Sequence, residues 1–481
     1  MLKKTRAWTM AAAVAATAVT VLSTGGVAAA GGDPKPGAES AGDRLFPYLG
    51  NGGYDVASYD VAFDYRPGTM KMTSAVQITA SALQALSRFS LDSAGQKIHT
   101  VRVDGRPAGF TTRGEKLVIT PEHWVRKGAR FQVAITYTAD RTANPPSPAS
   151  PGAPVHFEHW YNKDDGFALF GQPDRAHLFF PMNDHPSDKA RVTFRVTVPK
   201  DLQVAANGTL RSRSTSGGRT TYVYGTRDPI PTQVVQVAVG RFRQVRQTGP
   251  HGLPLTSFIT PAFYAKAKRS VGLIPSQVAW VEKKIGARYP FEAYGVLGLK
   301  GGYSAAFEAA GLSTFAAEAG LTKPEETPTL VHELVHQYFG NAVSEKTWDD
   351  MWISEGHASY YTFLYKDEKG FEKLADAVKR AYMYDEDTRG TTGPPGRLKD
   401  PLDVLGSTNA PGFLMLYGLR LKVGDATFRA IERTFFEKYR NKAASTQDFI
   451  DVANGVSHRD LTAYVRSWIY GAKTPPTPAA T

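Results

Sequence analysis

The stretch Thr327–Tyr361 reads TPTLVHELVHQYFGNAVSEKTWDDMWISEGHASYY, and it decides how the rest of the chain is read. His332 and His336 stand four residues apart, with Glu333 beside the first. In a helix, residues i and i+4 share one face, so the two imidazoles can close on a single metal ion. Local signals support the helix: Thr327 can cap it, Pro328 suits the first helical position, and Gly340-Asn341 can end it. Glu333 sits one residue round from His332, where its carboxylate flanks a metal site rather than joining it. This is the HExxH arrangement, in which two histidines hold zinc and the glutamate serves as general base. The spacing also offers a third ligand. Eighteen residues separate His336 from Glu355, enough for a turn, a short connection and a second helix capped by Thr347 or Asp349. Glu355 would then complete a His, His, Glu set for one Zn2+ per chain, with one position left open. The competing reading, a chance HELVH on a buried helix, does not account for a carboxylate at this distance.

Working outward, 481 residues with 42% hydrophobic content suffice for two domains with ordinary cores. The chain has no cysteine, which excludes disulfides, thiolate ligands and a cysteine nucleophile. Residues 1–30 read as a signal peptide: Lys3, Lys4 and Arg6 precede an Ala/Val-rich run, and Ala28-Ala29-Ala30 offers a cleavage site. The expectation is a secreted, extracytoplasmic protein with no stable membrane insertion after cleavage; an uncleaved anchor is the alternative. The formal charge of +12 falls to +9 when that segment leaves. The remaining basic residues are scattered, which argues for a solvated surface and no nucleic-acid partner. Monomer is the default assembly.

Residues 31–42 are small and polar and read as a disordered linker. Strand signals fill residues 43–246. Tyr59, Val61, Phe63 and Tyr65 alternate with polar or small residues, and Val192, Phe194, Val196 and Val198 repeat the pattern. Asn207-Gly208 is a hairpin signal, and the Pro-rich stretch Asn144–Pro154 reads as an exposed loop. From residue 247 to 472 helical periodicity takes over, beginning with an amphipathic helix over Val271–Ile285. A disordered Pro-rich tail, 473–481, ends the chain. There are no internal repeats.

HELVHQYFGN, followed by W-x-D-x-W-x-x-E-G at Trp348–Gly356, resembles the aminopeptidase N family of gluzincin metallopeptidases. GDRLFPYLGNGGYDV at Gly42–Val56 and GQPDRAHLFFPMNDHPSDKA at Gly171–Ala190 are similar to that family's N-terminal saddle-shaped β domain. The resemblance covers about residues 42–472 and lacks the large C-terminal helical domain of longer members. It implies an α+β multidomain fold: an N-terminal all-β saddle-like domain followed by a thermolysin-like, mainly helical zinc peptidase domain. The implied activity is removal of N-terminal residues from peptides and proteins. AAFEA at Ala305–Ala309 matches the family's G-A-M-E-N segment, and the resemblance makes Glu308 the group that holds the substrate's free α-amine. Gln172 would lie near the same amino end, or else simply hydrogen-bond within a turn. Glu333 is then the catalytic base, and His332, His336 and Glu355 are the metal ligands.

One part of the family pattern is broken. Members carry a tyrosine in V-Y-x-x-G-A-x-x-L-x-x-L-R whose hydroxyl stabilises the oxyanion. Here the matching stretch is TNAPGFLMLYGLR, Thr408–Arg420, and Asn409 stands in the tyrosine's place. Tyr417 reads as a packing residue, while Tyr382 and Tyr384 are the other tyrosines that could reach the site. Removing one oxyanion donor typically lowers turnover by about 10²–10³-fold. The alternative to an active peptidase is therefore a zinc-bound scaffold or binding protein with weak or no turnover.

Overall fold

The computed structural model of the protein describes residues 33–149, 158–163, 166–301 and 306–476. The leader expected over residues 1–30 lies outside them, as do residues 477–481 of the expected tail.

Period-two alternation builds the first domain. In Tyr54–Asp64, buried Tyr59, Val61 and Phe63 alternate with half-buried Ser58, Asp60 and Ala62. This strand lies inside an eight-stranded sheet whose order is Thr209–Ser216, Arg219–Gly225, Arg191–Pro199, Tyr54–Asp64, Lys71–Ala82, Arg130–Asp140, Gln96–Val103 and Arg106–Pro107. The pairing of Arg191–Pro199 with Tyr54–Asp64 is parallel, and its neighbours are antiparallel. Two four-stranded sheets cover the inner face of this sheet's core, one built on Leu86–Asp92 and one on Val237–Gly240.

Three sequence expectations are corrected here. Asn207-Gly208 does not close a hairpin. Gln203–Ala206 pairs with Val237–Gly240, whereas Thr209–Ser216 pairs with Arg219–Gly225, so the chain crosses between sheets at this point. Buried Asn207 holds the crossing by donating to Val234 O and Ala310 O and accepting from Gln236 N. Residues 33–42 are not a disordered linker. Lys35–Pro36 pairs in parallel with Leu86–Asp92, and Lys35 N and Gly37 N donate to Ala85 O and Arg88 O. Gly37 suits its place, because a Cβ there would stand 2.6 Å from Gly52 O. The domain boundary also lies earlier than 246. Arg243–Thr248 pairs antiparallel with Pro254–Ile259, the next strand of the second domain's sheet.

That second sheet runs Arg243–Thr248, Pro254–Ile259, Val296–Leu299, Ser313–Ala316, Ala306–Phe307. The helix expected over Val271–Ile285 is two, Tyr264–Val271 and Ile274–Ile285, with a break at Gly272-Leu273 ahead of Pro275. Three helices position the site: Thr327–His336, Trp352–Glu368 and Asn409–Val423. The last two cross at glycines. A Cβ on Gly412 would stand 2.7 Å from Gly356 Cα, and one on Gly356 would stand 2.8 Å from Gly412 Cα. Only a Gly–Gly crossing lets these backbones meet.

The domains are tied by polar contacts at conspicuous sequence motifs. Asp43 accepts from Leu45 N, Phe46 N and Trp348 N, and Arg44 forms a bidentate pair with Asp349. Half-buried Lys189 donates to Asn341 O and Ala342 O, just past the HExxH helix, at 2.7 Å each. In the tail, Thr474 is held by Asp385. Among the described residues, no helix is long and apolar enough to cross a membrane.

Candidate active site

Pro328 occupies the first turn of the helix Thr327–His336, which presents His332, Glu333 and His336. Thr327 lies inside the helix rather than capping it, its hydroxyl donating to Pro324 O. Beyond the helix, Gly340 adopts φ +117°, a conformation that strains any side chain, and a Cβ there would meet Ser354 Oγ at 2.3 Å. That clearance matters because Ser354 holds a ligand. Its hydroxyl lies 3.3 Å from Phe339 O and 2.8 Å from His336 Nδ1, an arrangement in which Nδ1–H donates to Oγ while the hydroxyl donates to Phe339 O. That arrangement favours the tautomer with its lone pair on Nε2, the nitrogen facing Glu355.

The second helix begins after Thr347, whose N–H and hydroxyl both donate to the Asp350 carboxylate. Glu355 lies in its first turn. Glu355 Oε2 is 3.7 Å from His332 Nε2 and 3.8 Å from His336 Nε2. These separations are too long for hydrogen bonds and short enough to share one ion. All three donor atoms lie within 4.8 Å of one another. Two nitrogens and one carboxylate oxygen, with one imidazole already oriented through its other nitrogen, fit zinc with a remaining open position. Burial lowers the proton affinity of His336 to a pKa of about 3, which keeps its nitrogen free for a metal.

Glu333 is buried, and its Oε2 has no hydrogen-bond partner. Burial first, then the carboxylates of Glu308 and Glu355, raise its pKa well above the usual range. Glu308 follows the edge strand Ala306–Phe307 directly. Its Oε1 accepts from Gln172 Nε2 at 2.5 Å, so the β domain contributes to the site. Its carbonyl is clamped by Gln337 Nε2 at 3.1 Å and Asn341 Nδ2 at 2.7 Å, while Gln337 Oε1 accepts from Gly311 N. The residues following HELVH thus fix the Glu308 loop, a role for Gln337 and Asn341 that the motif alone did not disclose. Ser354 was also missed; its signal is a serine immediately before the third ligand.

His332, Glu333, His336, Glu355, Glu308, Gln172 and Asn409 all line one cavity of about 610 Å3. Asn409 opens the helix Asn409–Val423, one turn before the Gly412 crossing. Its Nδ2 donates to Leu405 O at 2.8 Å and Gly406 O at 3.2 Å, and its Oδ1 accepts from Ser359 Oγ. Its amide nitrogen is therefore engaged with the preceding turn. Tyr382 and Tyr384 lie on Leu374–Thr392 and neither lines the cavity, with Tyr384 47% exposed. Tyr417 packs against Phe413.

Comparison with known proteins adds to this geometry. Residues 56–234 match the Peptidase M1 N-terminal domain, and residues 270–468 match the Peptidase family M1 domain. Human glutamyl aminopeptidase is 25% identical over 320 residues, 62% of this chain and 33% of its own. Leucine aminopeptidase 2 of Aspergillus fumigatus is 24% identical over 452 residues, 88% of this chain and 71% of its own. The chain spans about a third of the length of the glutamyl aminopeptidases it matches in human and pig. A mutant of the M1 zinc metallopeptidase of Deinococcus radiodurans, solved with a Tyr-Ser-Ala substrate, superposes with a TM-score of 0.82 at 27% identity. That similarity covers 92% of this chain and the whole of the other.

Proposed function

The chain belongs to peptidase family M1, and on that premise we propose that it is a zinc aminopeptidase that removes residues from the free amino end of peptides. The observation that carries the reading is the joint lining of one cavity by the His332, His336, Glu355 donor set and the buried Glu308 carboxylate. A fixed carboxylate beside the metal ligands serves as a ruler, because an α-ammonium docked on it leaves only the first peptide bond within reach.

His332, His336 and Glu355 would hold the zinc. When bound, zinc supplies a Lewis acid that polarises a carbonyl and makes water a nucleophile near neutral pH. Glu333, whose free Oε2 faces no competing donor, takes the proton of the attacking water and returns it to the leaving amine. Glu308, steadied by Gln172, Gln337 and Asn341, orients the substrate's amine. Ser354 favours the metal-binding tautomer of His336.

Asn409 gives this site a weakness. With its amide nitrogen turned to Leu405 O and Gly406 O, it is engaged away from a developing oxyanion. This observation favours turnover below that of relatives with a tyrosine, and at its extreme a zinc-bound binding protein. Turnover of a panel of aminoacyl-arylamides by purified protein, with and without chelator, tests the proposal. Cleavage that stops on chelation and returns with zinc supports the enzyme; zinc retention with no turnover of any arylamide supports the scaffold. The segment Lys3–Ala30 supports export, and N-terminal sequencing of protein recovered outside the cell should begin after Ala30.

A further inference from the structure

The cavity has an architecture beyond the metal site. On the helix Trp352–Glu368, the lining residues Glu355, Ser359, Thr362, Phe363 and Lys366 fall at i, i+4, i+7, i+8 and i+11, one helical face. On the facing side, Thr329, Glu326 and Lys323 continue from His332 in steps of three residues. Two rows therefore lead away from the ligands, and each ends on a lysine. Lys366 Nζ lies 5.3 Å over the Phe363 ring, which holds it to the cavity row. Lys366 also forms an ion pair with Glu372 at 3.7 Å, longer than a hydrogen bond, and shares that carboxylate with Arg380. Lys323 has no ion-pair partner among the described residues. Glu326 adds one carboxylate to the lining; Lys323, Lys366 and Arg380 set against Glu326 and Glu372 leave an excess of one positive charge at this end.

We infer that the outer end of the cavity is a carboxylate subsite, where Lys323 and Lys366 hold the free C-terminus of a tri- or tetrapeptide. The inference rests on the aminopeptidase reading, which places the peptide's amine at Glu308. The charges then match at both ends: an anionic Glu308 for the ammonium and two lysines for the carboxylate. Length agrees as well. Eleven residues at about 1.5 Å each put Lys366 about 16 Å along the helix from Glu355. A lysine stem can reach back about 6 Å, leaving about 10 Å to span. Extended chain covers about 3.3–3.6 Å per residue, so two or three residues beyond the scissile bond fill that span. A cavity of about 610 Å3 is also the size of a short peptide's enclosure.

The test compares Ala-Ala-Ala and Ala-Ala-Ala-Ala as free acids and as C-terminal amides. KM is read on zinc-loaded wild type, and binding is read by calorimetry on zinc-loaded Glu333→Gln protein. The acids should show about 10-fold lower KM and about 10-fold tighter binding than the amides. In the Lys323→Gln/Lys366→Gln double variant that difference should vanish, and in the double Lys→Arg variant it should persist. Equal binding of acid and amide, or an acid preference that survives the Gln double variant, overturns the subsite. Loss of the parent reading has a different signature: wild type then cleaves no aminoacyl-arylamide, while the calorimetric comparison still decides the subsite.

Discussion

Replacing Gly412 with alanine should damage the metal site without touching any residue that binds the metal. The new Cβ would stand 2.7 Å from Gly356 Cα and 3.2 Å from Trp352 O. Non-bonded carbons settle at about 3.5–4.0 Å, so the two helices must part by about 1 Å. Forcing such overpacking costs about 1–3 kcal/mol. For a domain of this size each kcal/mol lowers Tm by about 2–4 °C, so a fall of roughly 2–12 °C is expected. The functional cost is larger, because Gly356 is bonded to Glu355 and a 1 Å misplacement can remove about 10²-fold in rate. Competition with a fluorescent chelator should show zinc affinity weakened by about 10-fold, one ligand having been displaced from the other two. Gly455→Ala is the control. Its site on the helix Thr446–Ser457 is exposed with nothing within 4 Å, so it should be neutral or stabilise by about 1 kcal/mol. If Gly412→Ala melts, binds zinc and turns over like the wild type, the helix crossing does not position Glu355.

Two further substitutions separate holding the metal from using it. His336→Ala should lose most of the zinc measured by elemental analysis, whereas Glu333→Gln should keep about one zinc per chain and lose hydrolysis; wild-type turnover in the second would mean another base. Asn409→Tyr should raise kcat by about 10-fold or more with little change in KM, because it restores a donor that acts mainly as the oxyanion develops. An unchanged kcat there would show that the missing hydroxyl is not what limits the rate.

The sequence disclosed those parts of the site whose chemistry depends on local spacing. His332 and His336 share a helical face wherever that helix is placed, and the connection to Glu355 is short enough to read. The Glu308 and Gln172 assignments came through resemblance, and the structure brings both into the same cavity. What stayed hidden depends on register between distant segments. Nothing local says that Ser354 orients His336, or that Gly356 must meet Gly412. The turn signal at Asn207-Gly208 was real as backbone chemistry, but turn chemistry does not say which strands pair on either side. Residues 33–42 show the same limit, since low hydrophobicity did not reveal a sheet edge with unpaired carbonyls waiting at Ala85 and Arg88. The two lysines at the end of the cavity rows belong to this class: Lys366 is in phase with Glu355, yet the phase acquires meaning only beside the facing row.

The central claim is that Glu308 selects a free amine for hydrolysis at the His332, His336, Glu355 zinc site. The most direct measurement is kcat/KM for one peptide with its N-terminus free and acetylated, on zinc-loaded wild type and Glu308→Ala. The account predicts a preference of about 10²-fold or more for the free amine, the scale of a buried charge-assisted contact, and its collapse in Glu308→Ala with zinc content unchanged. Equal cleavage of free and acetylated peptide by the wild type, or a preference that survives the loss of Glu308, would contradict it.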